Sequence, residues 1–408
     1  MNATPRTRPP RLRRAAVAMA AVAALAGSPL TVPAAARAQV SPSSQPACPA
    51  AEAGTADCLL RVITTDDGRP MRPTDVRPTD FPAYTPADLQ AAYNLPSDWL
   101  GGGMTVAVVA PLGYPAAETD LAAYRTGNGL APCTTDYACF RKINQRGGDT
   151  PPPASTAWSL NAATALDMAS ATCPNCRLLL VEADSARFAD LGAAVDQAVA
   201  QGAHAVVTPF GGPEYDGQRA DAEHYDHPGT AIVAPAGSNG FGGGSTGTQP
   251  IPAAYPSVIA VGGTTLYPDD TARGWSERAW ERAGSGCSIT EARPAWQGKG
   301  SCGNRRTVAD VAAVASTDSP VIVFNSDRGG SLLTAGTPVA AGIIGGVYGL
   351  AGHTLPASPG ARLYKSGKYL NDVTAGTNGS CLGGYLCTAG RGYDGPTGLG
   401  TPNGIAAF

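Results

Sequence analysis

Short apolar runs alternate along this chain with segments whose apolar positions recur every three to four residues. Thr105–Ala110, Leu178–Val181, Ala205–Thr208, Ala231–Ala234 and Val258–Val261 read as strands, whereas Asn161–Ala171, Phe188–Gln201 and Pro338 to about Leu350 read as helices. The strand runs are apolar at consecutive positions, so both faces are expected to be covered. That pattern predicts an α/β fold with a parallel central β-sheet flanked by helices on both faces. Ligands of such sheets bind beyond the strand C-termini. Here those ends carry Gly211-Gly212, Gly237-Ser238-Asn239-Gly240 and Gly262-Gly263, small residues that let another chain approach the backbone.

The periodic body begins near Tyr84 and runs about 325 residues to Phe408, with no internal repeat of fixed period. Residues 39–83 are rich in Pro, Ser, Ala, Thr and Asp without periodicity, and predict a poorly packed N-terminal leader. Ahead of them lie five arginines between Arg6 and Arg14, the apolar run Ala15–Ala26, and Ala36-Arg37-Ala38. This is the order of a signal peptide cleaved after Ala38, and Arg13-Arg14 leaves a twin-arginine export route open. The apolar run is too short for a membrane span, which needs about 18 residues or more.

Removing residues 1–38 takes away six arginines and no acids, so a formal charge of −3 becomes −9. That balance argues against nucleic acid as a partner. Ten cysteines fall in neighbouring pairs, Cys48/Cys58, Cys133/Cys139, Cys173/Cys176, Cys287/Cys302 and Cys381/Cys387. An even count in an exported chain favours disulfides and a secreted, extracellular protein, with sequence-local pairing the simplest arrangement. Cys173-Pro-Asn-Cys176 also fits a redox motif or half a zinc site, although no second C-x-x-C and no ligand-spaced histidines accompany it. His227 lies in a turn-like stretch with no serine or cysteine motif to serve. Gly242–Gly244 lacks the Lys and Ser/Thr of a phosphate-binding loop. Trp275, Trp280 and Trp296 fit either core packing or groove lining.

From Tyr84-Thr85-Pro86-Ala87-Asp88-Leu89 to Thr401-Pro402-Asn403-Gly404 the body resembles the sedolisins, or serine-carboxyl peptidases, which use a subtilisin-like fold. Ala117-Glu-Thr-Asp-Leu121, Cys173-Pro-Asn-Cys176, Phe188-Ala-Asp-Leu-Gly-Ala-Ala-Val195 and Ala260-Val-Gly-Gly-Thr264 carry the likeness. Full-length members often have a large prodomain, for which residues 39–83 are too short. The resemblance implies a serine nucleophile, a Glu and an Asp four residues apart on one helix, and an Asp beside the oxyanion. The i, i+4 spacing stacks two carboxylates on one helix face, where one accepts the serine proton and the other orients it. A protonated carboxyl beside the oxyanion would donate a hydrogen bond to developing charge.

At the matching positions this chain reads Asn161, Ala165, Ser238 and Pro338. Asp167, two positions beyond Ala165, is rotated by about 200° and is expected to point elsewhere. Ser238 offers at most a weak hydrogen bond. Proline suits the first turn of a helix, so Pro338 is compatible with the fold but not with nucleophilic attack. Thr337 and Ser331 carry hydroxyls nearby, but near-attack geometry tolerates errors of only about 1 Å. Loss of nucleophile or base in a comparable triad costs about 10⁶ in turnover.

Further along, Asn371-Asp372-Val373-Thr374 and Gly390-Arg-Gly-Tyr-Asp394 resemble the family's calcium site, with Asp372, Val373, Gly390, Gly392 and Asp394 as ligands. Hard Ca²⁺ takes about six oxygens, which two carboxylates and three carbonyls would largely supply. From spacing alone, Asx turns in glycine-rich loops are the simpler reading. The expectation is a non-catalytic pseudo-peptidase with a bound Ca²⁺ and a peptide-binding groove, its partner a peptide or protein ligand. The alternatives are an acid-active endopeptidase using Thr337 or Ser331, and a purely structural exported protein whose cleft has filled in.

Overall fold

The computed structural model describes Met1 and residues 42–52, 54–77, 81–244, 247–382 and 384–408. The segment read as a signal peptide lies outside the described residues apart from Met1. No helix among the described residues is long and apolar enough to cross a membrane.

The chain forms β1 (Ser43–Pro46), β2 (Arg61–Thr64), α1 (Pro86–Ala92), β3 (Thr105–Pro111), α2 (Ala117–Gly127), β4 (Phe140–Asn144), α3 (Thr156–Thr172), β5 (Arg177–Ala183), α4 (Phe188–Ala200) and β6 (Ala205–Val207). There follow β7 (Gly212–Pro213), β8 (Ala231–Pro235), β9 (Pro250–Ile251), β10 (Ile259–Pro268), β11 (Trp275–Ala279), β12 (Gly286–Ala292) and β13 (Arg305–Val308). The last are β14 (Val311–Val314), β15 (Val321–Asn325), β16 (Gly330–Ala335), α5 (Thr337–Ala351) and α6 (Pro359–Ser366).

The central sheet runs β11-β10-β8-β6-β3-β5-β4, with β14 also paired to β10. Only the β10–β11 pairing in it is antiparallel. Strand β3 shows how the apolar runs produce this layering. Val106 and Val108 face a core shared with α3 and α5, whereas Ala107 and Val109 face one shared with α4. All four are fully buried, and each valine contributes about 1.5–3 kcal/mol on leaving water. The glycines of α5 let it lie close against α3. A Cβ at Gly346 would sit 2.8 Å from the Ala169 carbonyl oxygen. The α/β expectation is met in the sheet, in its direction and in the helices on both faces.

The described part of the expected leader is not poorly packed. β1 and β2 form an antiparallel hairpin that extends β16 and β15 into a four-stranded sheet, and Val62 and Ile63 are buried. Strands of four residues containing serine and proline carry little pattern of their own. Their order comes from pairing with β16, far along the chain. The five disulfides join the neighbouring cysteines, Cys173–Cys176 among them, and no cysteine is free. Such crosslinking fits an extracellular protein.

Candidate functional site

The central sheet reverses its strand order around β3, and the loops beyond its C-terminal edge meet the start of α5. Helix α3, capped by the Ser155 hydroxyl on the Trp158 amide, presents Asn161 and Ala165 to this region, both fully buried. The loop after β6 supplies Pro209 and Gly211, that after β8 supplies Gly237 and Ser238, and α5 begins with Thr337 and Pro338.

Asn161 Nδ2 donates to the carbonyls of Pro209 and Cys58, each at 2.9 Å. The Thr337 amide donates to Ser238 Oγ at 3.0 Å, and the two hydroxyl oxygens lie 3.2 Å apart. Ser238 therefore caps the N-terminus of α5 from a separate loop. Its oxygen accepts the Thr337 amide and shares a second hydrogen bond with the Thr337 hydroxyl, in which either oxygen can be the donor. The side chains at these positions form a neutral wall in which Asn161 Oδ1 is buried without a hydrogen-bond partner among the described residues, and Asn161, Ser238 and Thr337 accept or donate to no carboxylate or imidazole among the described residues. Pro338 adds no hydroxyl and no N–H.

Asp167 turns away from this wall, as its helical rotation predicts, and accepts the Phe324 amide of β15 at 2.9 Å. Burial holds its carboxyl well above the ordinary carboxylate range, opposed by that hydrogen bond and reinforced by Asp120. Ser331 sits exposed at the start of β16, opposite Phe324. His227 shares Asp196 of α4 with His224, at 3.0 and 2.6 Å. Trp280 is buried, Trp275 packs edge-on to Tyr84, and Trp296 packs on Tyr364 and Arg306.

The groove expected to be open to peptides is filled by the chain itself. The loop from β1 to β2, closed by Cys48–Cys58, enters it. Thr55 and Asp57 form antiparallel bridges to Arg187 and Gly211. The Ala56 amide donates to Ala186 O at 2.8 Å, and Asp57 and Gly211 exchange N–H···O bonds of 2.7 and 2.9 Å. Gly336 has a φ of +116° and passes Leu59 so closely that a Cβ there would lie 2.8 Å from the Leu59 carbonyl. Asp57 and Leu59 line a cavity of about 70 Å³ with Gly212, Gly237, Gly240 and Gly284. Burial raises the Asp57 carboxyl above its ordinary value, opposed by the amides of Leu59 and Cys58. The only sequence signal for this loop was the Cys48/Cys58 spacing.

In the C-terminal turns, the Gly392 amide points at Asp372, 3.2 and 3.1 Å from its two oxygens. Gly390 N donates to Asp394 Oδ2 at 2.9 Å, and Thr397 donates through its amide and hydroxyl to Oδ1 at 2.9 and 2.8 Å. Burial first, and the like charge of Asp372 last, push the Asp394 carboxyl up to about 6 against these hydrogen bonds. Hard oxygens with uncompensated negative charge suit Ca²⁺. Among the described residues no group of three or more His, Cys, Asp or Glu side chains is arranged to hold a metal ion. A cation here would therefore depend on main-chain carbonyls such as those of Val373, Gly390 and Gly392.

This fold and cleft define a subtilisin-like, peptidase-type α/β protein. No family model matches the chain. It is 25% identical over 355 residues to sedolisin of Pseudomonas sp. (strain 101), covering 78% of this chain and 59% of that protein. Kumamolisin of Bacillus sp. (strain MN-32) is 28% identical over 357 residues, 79% of this chain and 62% of that one. Xanthomonalisin of Xanthomonas sp. (strain T-22) is 32% identical over 202 residues, which are 41% of this chain and 24% of that protein. The structure of Pseudomonas sedolisin, a serine-carboxyl proteinase complexed with two molecules of pseudo-iodotyrostatin, superposes with a TM-score of 0.68 at 23% identity, covering 79% of this chain and 96% of that one. The chain is thus similar to sedolisin and kumamolisin and has a subtilisin-like fold, and it spans about six-tenths of the length of those two proteins.

Proposed function

We propose that this chain is an exported, non-catalytic pseudo-peptidase whose fold holds a structural Ca²⁺ and whose groove binds peptide or protein segments rather than cutting them. The observation that carries this reading is the wall formed by Asn161, Ala165, Ser238 and Thr337-Pro338. It presents no general base, no activated nucleophile and no acid beside an oxyanion. Acyl transfer needs all three functions in one place, and loss of the base or nucleophile alone costs about 10⁶ in turnover. Thr337 Oγ1 faces only the Ser238 hydroxyl, which cannot serve as a base near neutral pH.

For calcium, the support is the pairing of Asp372 with Asp394 in glycine-rich turns. Bound there, the ion would neutralise both carboxylates and tie the segment around Asn371 to that around Gly392. The test of the non-catalytic reading is digestion of a denatured protein by the purified chain at pH about 3 to 6 with calcium present, read by mass spectrometry beside Thr337→Ala and Ser331→Ala. No cleavage is expected from any of the three. Cleavage that disappears in either variant would make the chain an acid endopeptidase with a relocated nucleophile.

A further inference from the structure

The β1–β2 loop enters the cleft in the manner of a bound peptide. Its extended residues lie between two main-chain edges, with Thr55 opposite Arg187 and Asp57 opposite Gly211. The backbone bonds it makes are those by which an added strand is recognised at a sheet edge. Beyond Asp57 the chain passes the emptied catalytic wall. Asn161 holds the Cys58 carbonyl at 2.9 Å, and Gly336 gives way to the Leu59 carbonyl. Leu59 lines the adjoining cavity and holds a φ of +53°. That conformation costs a branched side chain of order 1–2 kcal/mol and persists only where the surroundings impose it. Two devices keep the segment in place. The Cys48–Cys58 bond closes the loop near its base, and β1 and β2 anchor both ends in the four-stranded sheet.

We propose that residues 55–60 are a resident peptide, held in cis by the Cys48–Cys58 latch in a groove that otherwise takes extended peptides carrying an apolar residue at the place of Leu59. This rests on the non-catalytic, peptide-binding reading above and adds how the site is kept closed. A tethered ligand competes at an effective concentration in the millimolar range. The intact chain therefore excludes peptides of ordinary affinity, and loosening the tether admits them. No chemical step is needed, only exchange of one strand for another.

The test uses a fluorescein-labelled peptide Thr-Ala-Asp-Ser-Leu-Leu, which copies residues 55–60 with serine for the cysteine. It is titrated into the full chain, into Cys48→Ser/Cys58→Ser, and into Asp57→Pro with the disulfide intact. The proline removes the N–H that Asp57 donates to the Gly211 carbonyl and leaves the residues of the groove wall unsubstituted. If the double variant fails to fold by near-ultraviolet circular dichroism, the proline variant carries the test. Binding at least about tenfold tighter to a folded variant than to the intact chain is expected. Hydrogen exchange should show the Gly211 amide protected in the intact chain, exposed in the variant and protected again by peptide. Equal binding to the intact chain, or none to a folded variant, overturns the resident peptide. Cleavage of the bound peptide would instead sink the non-catalytic reading and leave the resident peptide standing.

Discussion

The cleft and the C-terminal turns are both built from loops that converge main-chain groups, yet their electrostatics are opposite. In the cleft Ser238 pairs with Thr337 and Asn161 donates to the carbonyls of Cys58 and Pro209, none of the three side chains carrying a formal charge. In the turns Asp372 and Asp394 face the same glycine-rich segment, and Asp394 is pushed up to about 6 by burial with help from its neighbour. Neutral groups can be covered by a peptide segment at modest cost. Adjacent carboxylates without a cation cannot be covered so cheaply. The first arrangement suits a buried contact and the second suits a metal ion.

The largest effect should come from putting charge back into the cleft. Asn161→Glu replaces two N–H donors by acceptors facing the Cys58 and Pro209 carbonyls, in a fully buried position. A loss of about 3 kcal/mol or more is expected in denaturant unfolding at neutral pH. An unchanged midpoint would mean that the wall and the loop are not matched as described.

Calcium sharpens the other side of the comparison. Saturating Ca²⁺ at about a hundred times its Kd should add about 2.7 kcal/mol, so chelation should lower Tm by about 3–4 °C in a chain of this size. Asp372→Ala should abolish that shift. A melting temperature indifferent to both calcium and chelator would remove the metal from the account.

The smallest effect is a pH dependence centred on Asp57. Its carboxyl is raised in the folded chain, so the folded state holds the proton more tightly than the unfolded one. The loop should therefore be seated most firmly at acid pH, and its stability should fall as pH rises from the ordinary carboxylate value through the raised one. Asp57→Asn should flatten this dependence, the effect appearing only above the ordinary carboxylate value. An unaltered profile would assign the dependence to another group.

The layered fold was legible because β3, β5, β6, β8, β10, α3, α4 and α5 each carry a local signature. Continuous apolar strands and Gly/Ala-rich helices bury both faces whatever else surrounds them. The five disulfides also followed sequence neighbourhood. The residue types at Asn161, Ala165, Ser238 and Pro338 were readable, but their partners were not. Asn161 on the Cys58 carbonyl joins residues 103 positions apart, and Ser238 on Thr337 joins residues 99 apart. The N-terminal hairpin has no period to read because its order is borrowed from β16. Sequence alone determined the elements, the layering and the residue types at the site. Only tertiary structure decided what fills the site, because its occupant is recognised through backbone hydrogen bonds, which any sequence can make and none displays.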